Sequence, residues 1–211
     1  ITGEVMLLAL TSVAGTKEAA SPLELRRVAE FELRTRLLAI GGVAQVTALG
    51  GALPELQVNV RPDDLLRYGL TLDQVATAAE AANAPVGGGY LADVDGRELP
   101  LSPLTRAETV RDIATTVVGD WRGTPVTLER VADVREGGAP SRGSGSTDGH
   151  DAVILTIQKN PGVNTLELTG AIDRALDEFE KTLVPGMRLE RHVFRQADFI
   201  EVAIRNVLHA L

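Results

Sequence analysis

The first 51 residues alternate between short apolar runs and one helical stretch. The run GEVMLLALTS, Gly3–Ser12, is apolar and bounded by a polar loop, which is typical of a buried strand. SPLELRRVAEFELRTRLLAI follows as a predicted helix that ends at Gly41-Gly42, and Val43–Gly51 returns to a strand pattern. This part of the chain therefore predicts a β-α-β unit.

Three residues mark the start of the predicted helix. Ser21 is a favourable N-cap, Pro22 suits the first helical position, and Glu24 completes a capping box. The helix has an apolar stripe for the core, with members Leu25, Val28, Phe31 or Glu32, and Leu38. Its arginines are interleaved with glutamates, and we interpret them as a solvated face rather than an anion-binding funnel; they are Arg26, Arg27, Arg34 and Arg36.

A second unit of the same kind is predicted in the last third of the chain. Asp151–Lys159 has a strand pattern, and Asn164 is placed to cap a helix over about Thr165–Leu183. Met187–Phe194 alternates as a strand after Pro185-Gly186. Two β-α-β units form the split, ferredoxin-like plan, in which helices cover one face of an antiparallel sheet. The sequence therefore predicts an α+β fold of this type.

The stretch between these units, Ala52–Gly138, has elements of its own. It enters and leaves at the glycine pairs Gly50-Gly51 and Gly137-Gly138, as an inserted subdomain would. Its predicted elements are a strand at Glu55–Val60, a helix after Pro62, a helix capped by Thr71 and Gln74, a hairpin with its tip at Asp95-Gly96, and a short helix near Ala107–Asp112. We therefore predict a separate α+β subdomain inserted into the first.

Two segments in the last third of the chain lie beside the predicted β-α-β unit. Ser141–His150 has the composition of a flexible linker, but Asp148-Gly149 favours a turn because a strand follows directly. FRQADFIEVAIRNVLHAL, Phe194–Leu211, predicts an amphipathic helix with no terminating signal, and the sequence starts at Ile1 rather than Met. We therefore expect this sequence to be a segment of a longer polypeptide.

Composition and charge narrow the function classes. The 211 residues are 44% hydrophobic but only 3% aromatic, which predicts an aliphatic core. With 21 basic and 29 acidic residues the net charge is −8, and an acidic surface disfavours nucleic acid as a partner. There is no cysteine, which excludes disulfides, thiolate metal sites and cysteine nucleophiles. No run reaches about 18 consecutive apolar residues, so we predict no membrane-spanning segment within this sequence.

Few residues have the spacing of a metal site. Asp148, His150 and Asp151 combine ligand types that suit Zn²⁺, but three ligands this close in sequence are sterically awkward. We favour a solvated turn over this metal-site alternative. His192 and His209 have no acidic or histidine partner at ligand spacing, and we place both on polar surfaces.

Other candidate ligands and catalytic groups are equally isolated. Met6 and Met187 are soft ligand types, but each lies alone in a strand pattern, so we predict that they fill the core. Gly87–Gly89 has the composition of a phosphate-binding loop, but the lysine and Ser or Thr of a P-loop do not follow it. No G-x-S-x-G motif occurs, and no Ser, His and Asp suggest a triad. We therefore predict no catalytic, cofactor-binding or metal-binding residues and no enzymatic activity.

Several separated motifs resemble those of one transporter family. GVAQVTALGGALPELQVNVRPDDLLRYGLTLDQVATAAEAAN contains a Gly-Val-Ala-x-Val strand, a glycine pair, a strand ending at Pro62, and Tyr68-Gly69-Leu70-Thr71. GTPVTLERVADVREG, NPGVNTLELT and FRQADFIEVAIRNVLHAL follow in the same order. Together they resemble the periplasmic part, in the N-terminal half, of the resistance–nodulation–division (RND) efflux permeases. The last motif is similar to the run before the second transmembrane helix of the heavy-metal branch, the cobalt–zinc–cadmium and copper–silver type.

The resemblance implies a domain assignment. Residues 1–51 and 139–195 would form one porter subdomain, residues 52–138 a docking subdomain inserted into it, and residues 196–211 an amphipathic helix leading to a transmembrane span outside this sequence. On that helix the drier side would hold Phe199, Ile200, Ala203, Val207 and Leu211, and the wetter side Arg205, Asn206 and His209. The hairpin around Tyr90–Pro100 would help subunits interlock, although the two prolines of Glu98–Ala107 imply a shorter docking edge than usual.

The resemblance also implies a function and partners. Members of the family are homotrimers of the bacterial inner membrane that use the proton gradient to export substrate through a periplasmic adaptor and an outer-membrane channel. This chain would be a periplasmic segment that forms part of the substrate path and of the trimer docking surface, with a metal cation as transported substrate. The family's proton-relay carboxylates lie in membrane helices and its metal ligands largely elsewhere, so no site residue is carried over to this sequence.

Two other function classes fit the predicted fold. A standalone ferredoxin-like ligand-binding or sensor domain predicts a convergent polar pocket. A small hydrolase predicts clustered titratable groups with shifted pKa values in a cleft. The flanking coding sequence distinguishes both from the transporter, because only the transporter predicts long apolar spans on either side.

Overall fold

A computed structural model describes residues 3–13, 19–84, 90–94, 97–100, 107, 109–140 and 143–210 of the chain. The chain divides into two compact units: unit 1 comprises Ile1–Pro54 and Gly138–Leu211, and unit 2 comprises Glu55–Gly137. Both combine helices with strands, and the strand pairs of the main sheet are antiparallel. The prediction of an α+β fold is therefore confirmed.

The described elements follow each other in an order that returns to unit 1 after the insertion. In chain order they are β1 (Gly3–Ser12), α1 (Pro22–Arg27), a π-helical stretch (Val28–Leu33), α2 (Arg34–Leu38), β2 (Val43–Leu49), β3 (Pro54–Val60), α3 (Pro62–Tyr68), α4 (Leu72–Asn83), β4 (Tyr90–Val94), β5 (Arg97–Pro100), α5 (Val110–Ala114), β6 (Val117–Trp121), β7 (Thr124–Thr127), α6 (Leu128–Val131), β8 (Ala132–Gly138), β9 (Gly145–Thr147), β10 (His150–Lys159), α7 (Thr165–Glu180), β11 (Met187–Arg195) and α8 (Gln196–Ala210).

Unit 1 is built on one sheet to which both ends of the chain contribute. Its strand order is β11-β1-β10-β2, and the short β9 pairs with the first residues of β10. Leu8 of β1 lies opposite Leu155 of β10, and Leu10 lies opposite Leu189 of β11. Because these leucines are all buried, the first and last thirds of the chain share one hydrophobic interior.

The main core lies between this sheet and the helices of unit 1. Alternate residues of the strands point into it, as expected for a sheet with one covered face. The strand residues of the core include Met6, Leu8, Leu10, Val43, Val46, Ala48, Val153, Leu155, Ile157 and Leu189. The helices contribute Leu25, Val28, Ala29, Leu33, Leu37, Leu168, Ile172, Leu176 and Phe179. Phe179 is the one aromatic residue of this cluster, in keeping with the aliphatic core that composition predicts.

The helix after β1 departs from the regular α-helix that was predicted. The stretch Val28–Leu33 is π-helical. Four core residues recur here at every fourth position, namely Leu25, Ala29, Leu33 and Leu37. A period of 3.6 residues would rotate such a series away from the sheet, whereas the wider π turn keeps it on one face. Phe31 is 56% exposed and Leu38 38% exposed, so their predicted place in the apolar stripe is wrong.

The capping box at the start of α1 is confirmed and makes a testable contribution to stability. The Ser21 hydroxyl accepts from the Glu24 backbone N–H at 3.2 Å, and the Ser21 backbone N–H donates to the Glu24 carboxylate at 2.7 Å. The Ser21 backbone N–H and the Ser21 hydroxyl both donate to the Glu24 carboxylate, and these two hydrogen bonds lower the pKa of Glu24 below its ordinary value.

We expect Ser21→Ala to lower the free energy of unfolding at neutral pH by about 0.5–2 kcal/mol. Because the pKa of Glu24 is depressed in the folded chain, its part of the cap is complete above the ordinary glutamate pKa and is lost as pH falls through the lowered value. The loss caused by Ser21→Ala should therefore shrink in acid. Urea unfolding followed by circular dichroism across this pH range measures it; a pH-independent loss would show that Glu24 takes no part.

Two further local predictions in unit 1 are confirmed. The Asn164 side chain accepts from the backbone N–H of Leu166 at 3.0 Å and so caps α7. Asp148 and Gly149 have φ values of 49° and 78°, which form the predicted turn. The turn joins β9 to β10, and the pairing of β9 had not been predicted.

Unit 2 has a separate, smaller core. Its buried members are Val75, Ile113, Val126, Leu128 and Val131. Thr71 and Gln74 form the second predicted capping box at the start of α4. The short helix α5 begins after its N-cap Thr109, slightly later than predicted.

The hairpin predicted within unit 2 is present as β4 and β5. The two strands are antiparallel, with Tyr90 opposite Pro100. Its predicted tip, Asp95-Gly96, lies outside the described residues, as does the glycine run Gly87–Gly89. A second hairpin, β6–β7, had not been predicted; Arg122 and Gly123 turn it with positive φ values of 55° and 80°.

Candidate functional site

The residues considered as a metal site lie on an exposed turn. Asp148, His150 and Asp151 are all exposed. Across the described parts of the chain, no group of three or more His, Asp or Glu side chains is placed to hold a metal ion. The arrangement agrees with the solvated turn that we favoured.

The other two histidines also lie on surfaces. His192 is exposed in a bulge of β11, where Leu7 pairs with Phe194 but Ala9 pairs with Glu190. The extra residues of the bulge leave the ladder and re-aim their side chains. His209 is exposed in the last turn of α8.

The two methionines belong to the interior of unit 1. Met6 is fully buried in the main core, and Met187 is partly buried and packs against it. Both positions fit the prediction of core filling, because thioether side chains adapt to irregular gaps.

The arginines of the first helical segment were predicted to form a solvated face, but two of them contact the backbone of the sheet. Arg26 donates to the Gly50 carbonyl at 2.8 Å, and Arg34 donates through Nε to the Val46 carbonyl at 2.9 Å. Glu30 lies between them and pairs with both, at 3.1 and 3.4 Å. The predicted interleaving with glutamate is therefore present, but the guanidinium groups also cover the outer edge of β2.

The sheet face opposite the helices of the main core is a candidate surface. The core residues alternate along each strand with residues of this open face. Two aligned rows cross it: Leu49–Ile154–Ala9–Glu190 and Thr47–Thr156–Leu7–Phe194. Ala9 is fully buried between its neighbours, whereas Thr47 and Leu49 at the β2 edge are exposed. The open face therefore offers a contiguous, largely apolar surface.

The polar groups of the open face are mainly uncharged. Gln45 donates to the Thr47 hydroxyl at 3.2 Å, which links neighbouring side chains along β2. At the β11 edge, Arg188 and Glu190 pair with each other at 2.8 Å. The charges at this edge are thus internally compensated. Such a face suits contact with another folded surface or a neutral group better than it suits an isolated ion.

Two adjoining cavities lie where the end of β2 approaches β9. Each has a volume of about 210 Å³, and they share Gly51 and Gly143 as lining residues. The side chains that bring polar groups to their walls are Arg26, Ser144 and Asp151. Arg26 lines one cavity, where it is engaged with Gly50 and Glu30, and Ser144 and Asp151 line the other.

Two clusters of ion pairs connect β11 to the helices. Arg191 binds Asp177 and Glu180 of α7. Partial burial alone would lower the pKa of Arg191, but the hydrogen bonds to both carboxylates outweigh it and raise the pKa. Arg195 binds Asp173 of α7 and Asp198 of α8.

Arg195 differs from Arg191 because its two carboxylate partners lie on two different helices. The hydrogen bonds to Asp173 raise the pKa of its guanidinium above the ordinary value, against the opposing effect of burial. The guanidinium is charged at every accessible pH, as that of any arginine is, so both carboxylates face a permanent positive charge. Neither arginine has the arrangement of a nucleophile with a base, so these clusters hold structure rather than perform chemistry.

Helix α8 ends the described chain as an exposed amphipathic helix. Every side chain from Glu201 to His209 is exposed, including the side predicted to be drier. The large apolar residues among them are Val202, Ile204, Val207 and Leu208, and Phe199 precedes them. No helix among the described residues has both the length and the apolar character needed to cross a bilayer.

Comparison with known proteins finds transporters. Residues 2–211 match the model of the AcrB/AcrD/AcrF family. The nickel-cobalt-cadmium resistance protein NccA of Alcaligenes xylosoxydans xylosoxydans is 29% identical over 77% of this chain and 15% of its own length. The cobalt-zinc-cadmium resistance protein CzcA of Cupriavidus metallidurans is 25% identical over 97% of this chain and 20% of its own length. The multidrug resistance protein MdtC of Erwinia amylovora is 28% identical over 88% and 18%.

These matches cover almost the whole chain but only part of each relative. The chain spans between 15% and 20% of the length of the three relatives. The family match nevertheless includes all described elements from β1 to α8. The resemblance inferred from the sequence motifs is thereby confirmed: this chain belongs to the AcrB/AcrD/AcrF family of RND permeases.

Proposed function

We propose that this chain is a periplasmic segment of a proton-driven RND permease that exports heavy-metal cations from the inner membrane. The observation that carries the proposal is the family match over residues 2–211, joined by relatives named for resistance to nickel, cobalt, zinc and cadmium. A match over nearly the entire chain favours this role over a standalone sensor domain. The segment itself would act mechanically and perform no covalent chemistry.

We assign the sheet of unit 1 to a ferredoxin-like porter subdomain. When its four long strands are numbered along the chain, the order β11-β1-β10-β2 becomes 4-1-3-2, which supports two interleaved β-α-β units. The porter subdomain would comprise residues 1–51 and 139–195, and the docking subdomain residues 52–138. The division of the chain into compact units near Pro54 and Gly138 supports these boundaries. Residues 196–211 would lead to a transmembrane span.

The open face of the sheet would form part of the substrate path. It is contiguous and largely apolar, and the helices of the main core lie on the other side of the sheet. At its β11 end, Phe194 lies beside Phe199 of α8. A neighbouring periplasmic subdomain of the permease could close over it and open again as a rigid body, which is how packed units move in alternating access. Metal ligands would then come mainly from outside this segment, because Glu190 is the carboxylate of the two rows and is already paired with Arg188.

The inserted subdomain would hold the trimer together. Its β4–β5 hairpin projects two antiparallel strands that could pack against a neighbouring subunit. The partners of the complete protein would be the other subunits of a homotrimer, a periplasmic adaptor and an outer-membrane channel.

A second candidate is the export of organic compounds. It is favoured by the relative named as a multidrug resistance protein and by the largely apolar character of the open face, whose charges at the β11 edge pair with each other. The two candidates share the fold and differ only in the substrate, so one export experiment distinguishes them.

The test uses the complete permease that contains this chain, expressed with its adaptor and channel in a bacterium lacking its own exporters. We expect resistance to Zn²⁺, Co²⁺, Cd²⁺ or Ni²⁺ to rise above that of an empty vector. We also expect Thr47→Arg to abolish the gain, because a large charged side chain would enter the open face. Growth across a metal series and a drug series is the measurement.

The matched control is Thr35→Arg. Thr35 is also exposed and in unit 1, but it lies on α2, on the helical side of the sheet. It should retain resistance at the same protein level. Resistance to drugs alone would select the second candidate, and no resistance to either series would reject export. An equal loss of resistance in the Thr47→Arg and Thr35→Arg variants would contradict the proposal that the open face is part of the substrate path.

A further inference from the structure

We propose that Arg195 is a positioning residue that fixes the direction in which α8 leaves the sheet. The junction is a property of unit 1 alone. Its consequence for transport rests on the proposed function, in which α8 leads toward the membrane.

Arg195 stands at the point where a strand becomes a helix without a loop. It is the last residue of β11, where it lies opposite Met6 of β1, and α8 begins at the next residue. Its side chain is only 14% exposed. Because no loop intervenes, the direction of α8 depends on only a few backbone torsions at the junction. Side-chain contacts made at this point restrain those torsions directly.

The guanidinium group joins three elements at once. Its two Nη atoms donate to the two carboxylate oxygens of Asp173 on α7, at 2.9 and 2.8 Å. Its Nε donates to Asp198 in the first turn of α8 at 3.2 Å. A planar fork is the side chain that can make a bidentate pair and still reach a second carboxylate. A lysine in its place could reach one carboxylate but not hold both in a fixed geometry.

The contacts that hold α8 are concentrated at its beginning. Ala197 is buried, and the rings of Phe194 and Phe199 lie 5.9 Å apart. From Glu201 onward, every described side chain of α8 up to His209 is exposed. The described contacts of α8 with the rest of unit 1 are therefore concentrated in its first turn, and most of the helix is exposed.

Displacement of α8 should pass to the core of unit 1 through this junction. Asp173 lies on α7 next to Ile172, which packs in the core beneath the sheet. α7 also contributes Leu176 and Phe179 to the same core, so it moves with the sheet rather than independently. In the proposed permease, motion of the membrane segment would move the open face on the other side of that sheet.

The neighbouring arginine serves as an internal control. Arg191 also binds two carboxylates, Asp177 and Glu180, but both lie on α7. Its cluster therefore ties β11 to α7 and makes no contact with α8 among the ion pairs of the described residues. If helix direction depended only on general surface pairing, the two arginines would be equivalent.

The test measures the distance distribution between α7 and α8 in the 211-residue chain. Since the sequence has no cysteine, Arg174→Cys and Arg205→Cys provide two exclusive sites for spin labels, both on exposed positions. We expect a narrow distribution in the labelled parent chain. Arg195→Lys, Asp173→Asn and Asp198→Asn should each broaden it, and Arg191→Lys should leave its width unchanged. Circular dichroism checks that each variant is folded.

Two results would contradict the proposed role of Arg195. One is an unchanged width of the distance distribution in folded Arg195→Lys chains, and the other is equal broadening by Arg191→Lys. If Arg195→Lys fails to fold, Asp198→Asn decides the matter, because it leaves the Asp173 pair intact and removes only the link to α8. An unchanged width in Asp198→Asn then overturns the proposal.

The transport consequence is tested by placing Arg195→Lys in the complete permease. Reduced export at an unchanged protein level supports coupling through the junction. Normal export with a broadened distance distribution in the chain overturns the coupling and leaves the proposed function in place. Absence of export by the unaltered permease rejects the proposed function and the coupling with it, while the result on the isolated junction still stands.

Discussion

Replacing Leu176 by alanine should lower the free energy of unfolding of this chain by about 2–5 kcal/mol. Leu176 is completely buried in α7 and belongs to the main core of unit 1. The substitution removes three side-chain carbons, the methine and both terminal methyl groups, and leaves a cavity between the helices and the sheet. Urea unfolding monitored by circular dichroism measures the loss.

Leu208→Ala is the matched control for this prediction. Leu208 lies in the same unit and is also helical, but it is 69% exposed on α8. Its replacement should change the free energy of unfolding by no more than about 0.5 kcal/mol. Comparable losses in the two variants would mean that α8 is packed in the folded chain or that the core near α7 is loose.

Gly50→Ala should destabilise the chain by about 2–5 kcal/mol, the sum of two costs. Gly50 has a φ of 92°, a conformation that costs an L-residue roughly 1–2 kcal/mol. A methyl group there would also lie 2.5 Å from the Ala152 carbonyl oxygen, and relieving such a backbone contact costs about 1–3 kcal/mol. The midpoint of thermal unfolding should fall accordingly.

Gly162→Ala separates these two costs. Gly162 has a φ of 81° in the same unit, but a methyl group there would meet nothing within 4 Å. It should show the conformational cost alone, about 1–2 kcal/mol. If both alanines cost the same, the added methyl group at residue 50 is accommodated without a steric cost from the Ala152 carbonyl.

The parts of the fold that depend on neighbouring residues in sequence could be predicted. Ser21 with Glu24, Thr71 with Gln74, and Asn164 each place a side-chain acceptor where a helix leaves N–H groups unpaired. These signals act over three or four positions, so they do not need the rest of the chain. The antiparallel sheet was predicted by a different route, from the arrangement that two β-α-β units adopt in the split plan.

The parts that depend on tertiary packing could not be predicted. The π-helical stretch Val28–Leu33 exists because residues four apart must all face the sheet, and a sequence does not state which face is covered. The strand β9 has three residues and takes its register from β10. Phe31 was assigned to the core because it is apolar, although its position on the π turn exposes it.

The candidate surfaces show the same limit. Alternation along β1 and β10 identifies two faces, but only the packed helices show which of them is open. The three contacts of Arg195 join residues 173, 195 and 198, and only the last two are close in sequence. The family resemblance found the class of protein, and one of its motifs includes Arg195 and Asp198, but a motif does not show that Asp173 lies beside them.

The arginines on the edge of β2 bear on how copies of this chain avoid aggregating. The carbonyl of Val46 in β2 and that of Gly50 just after it already accept from Arg34 and Arg26, so a strand from another molecule would compete with these two donors. Cross-β growth from this edge would have to displace two charged donors. The opposite edge is interrupted by the bulge at His192, which breaks the flat register that fibril templating requires.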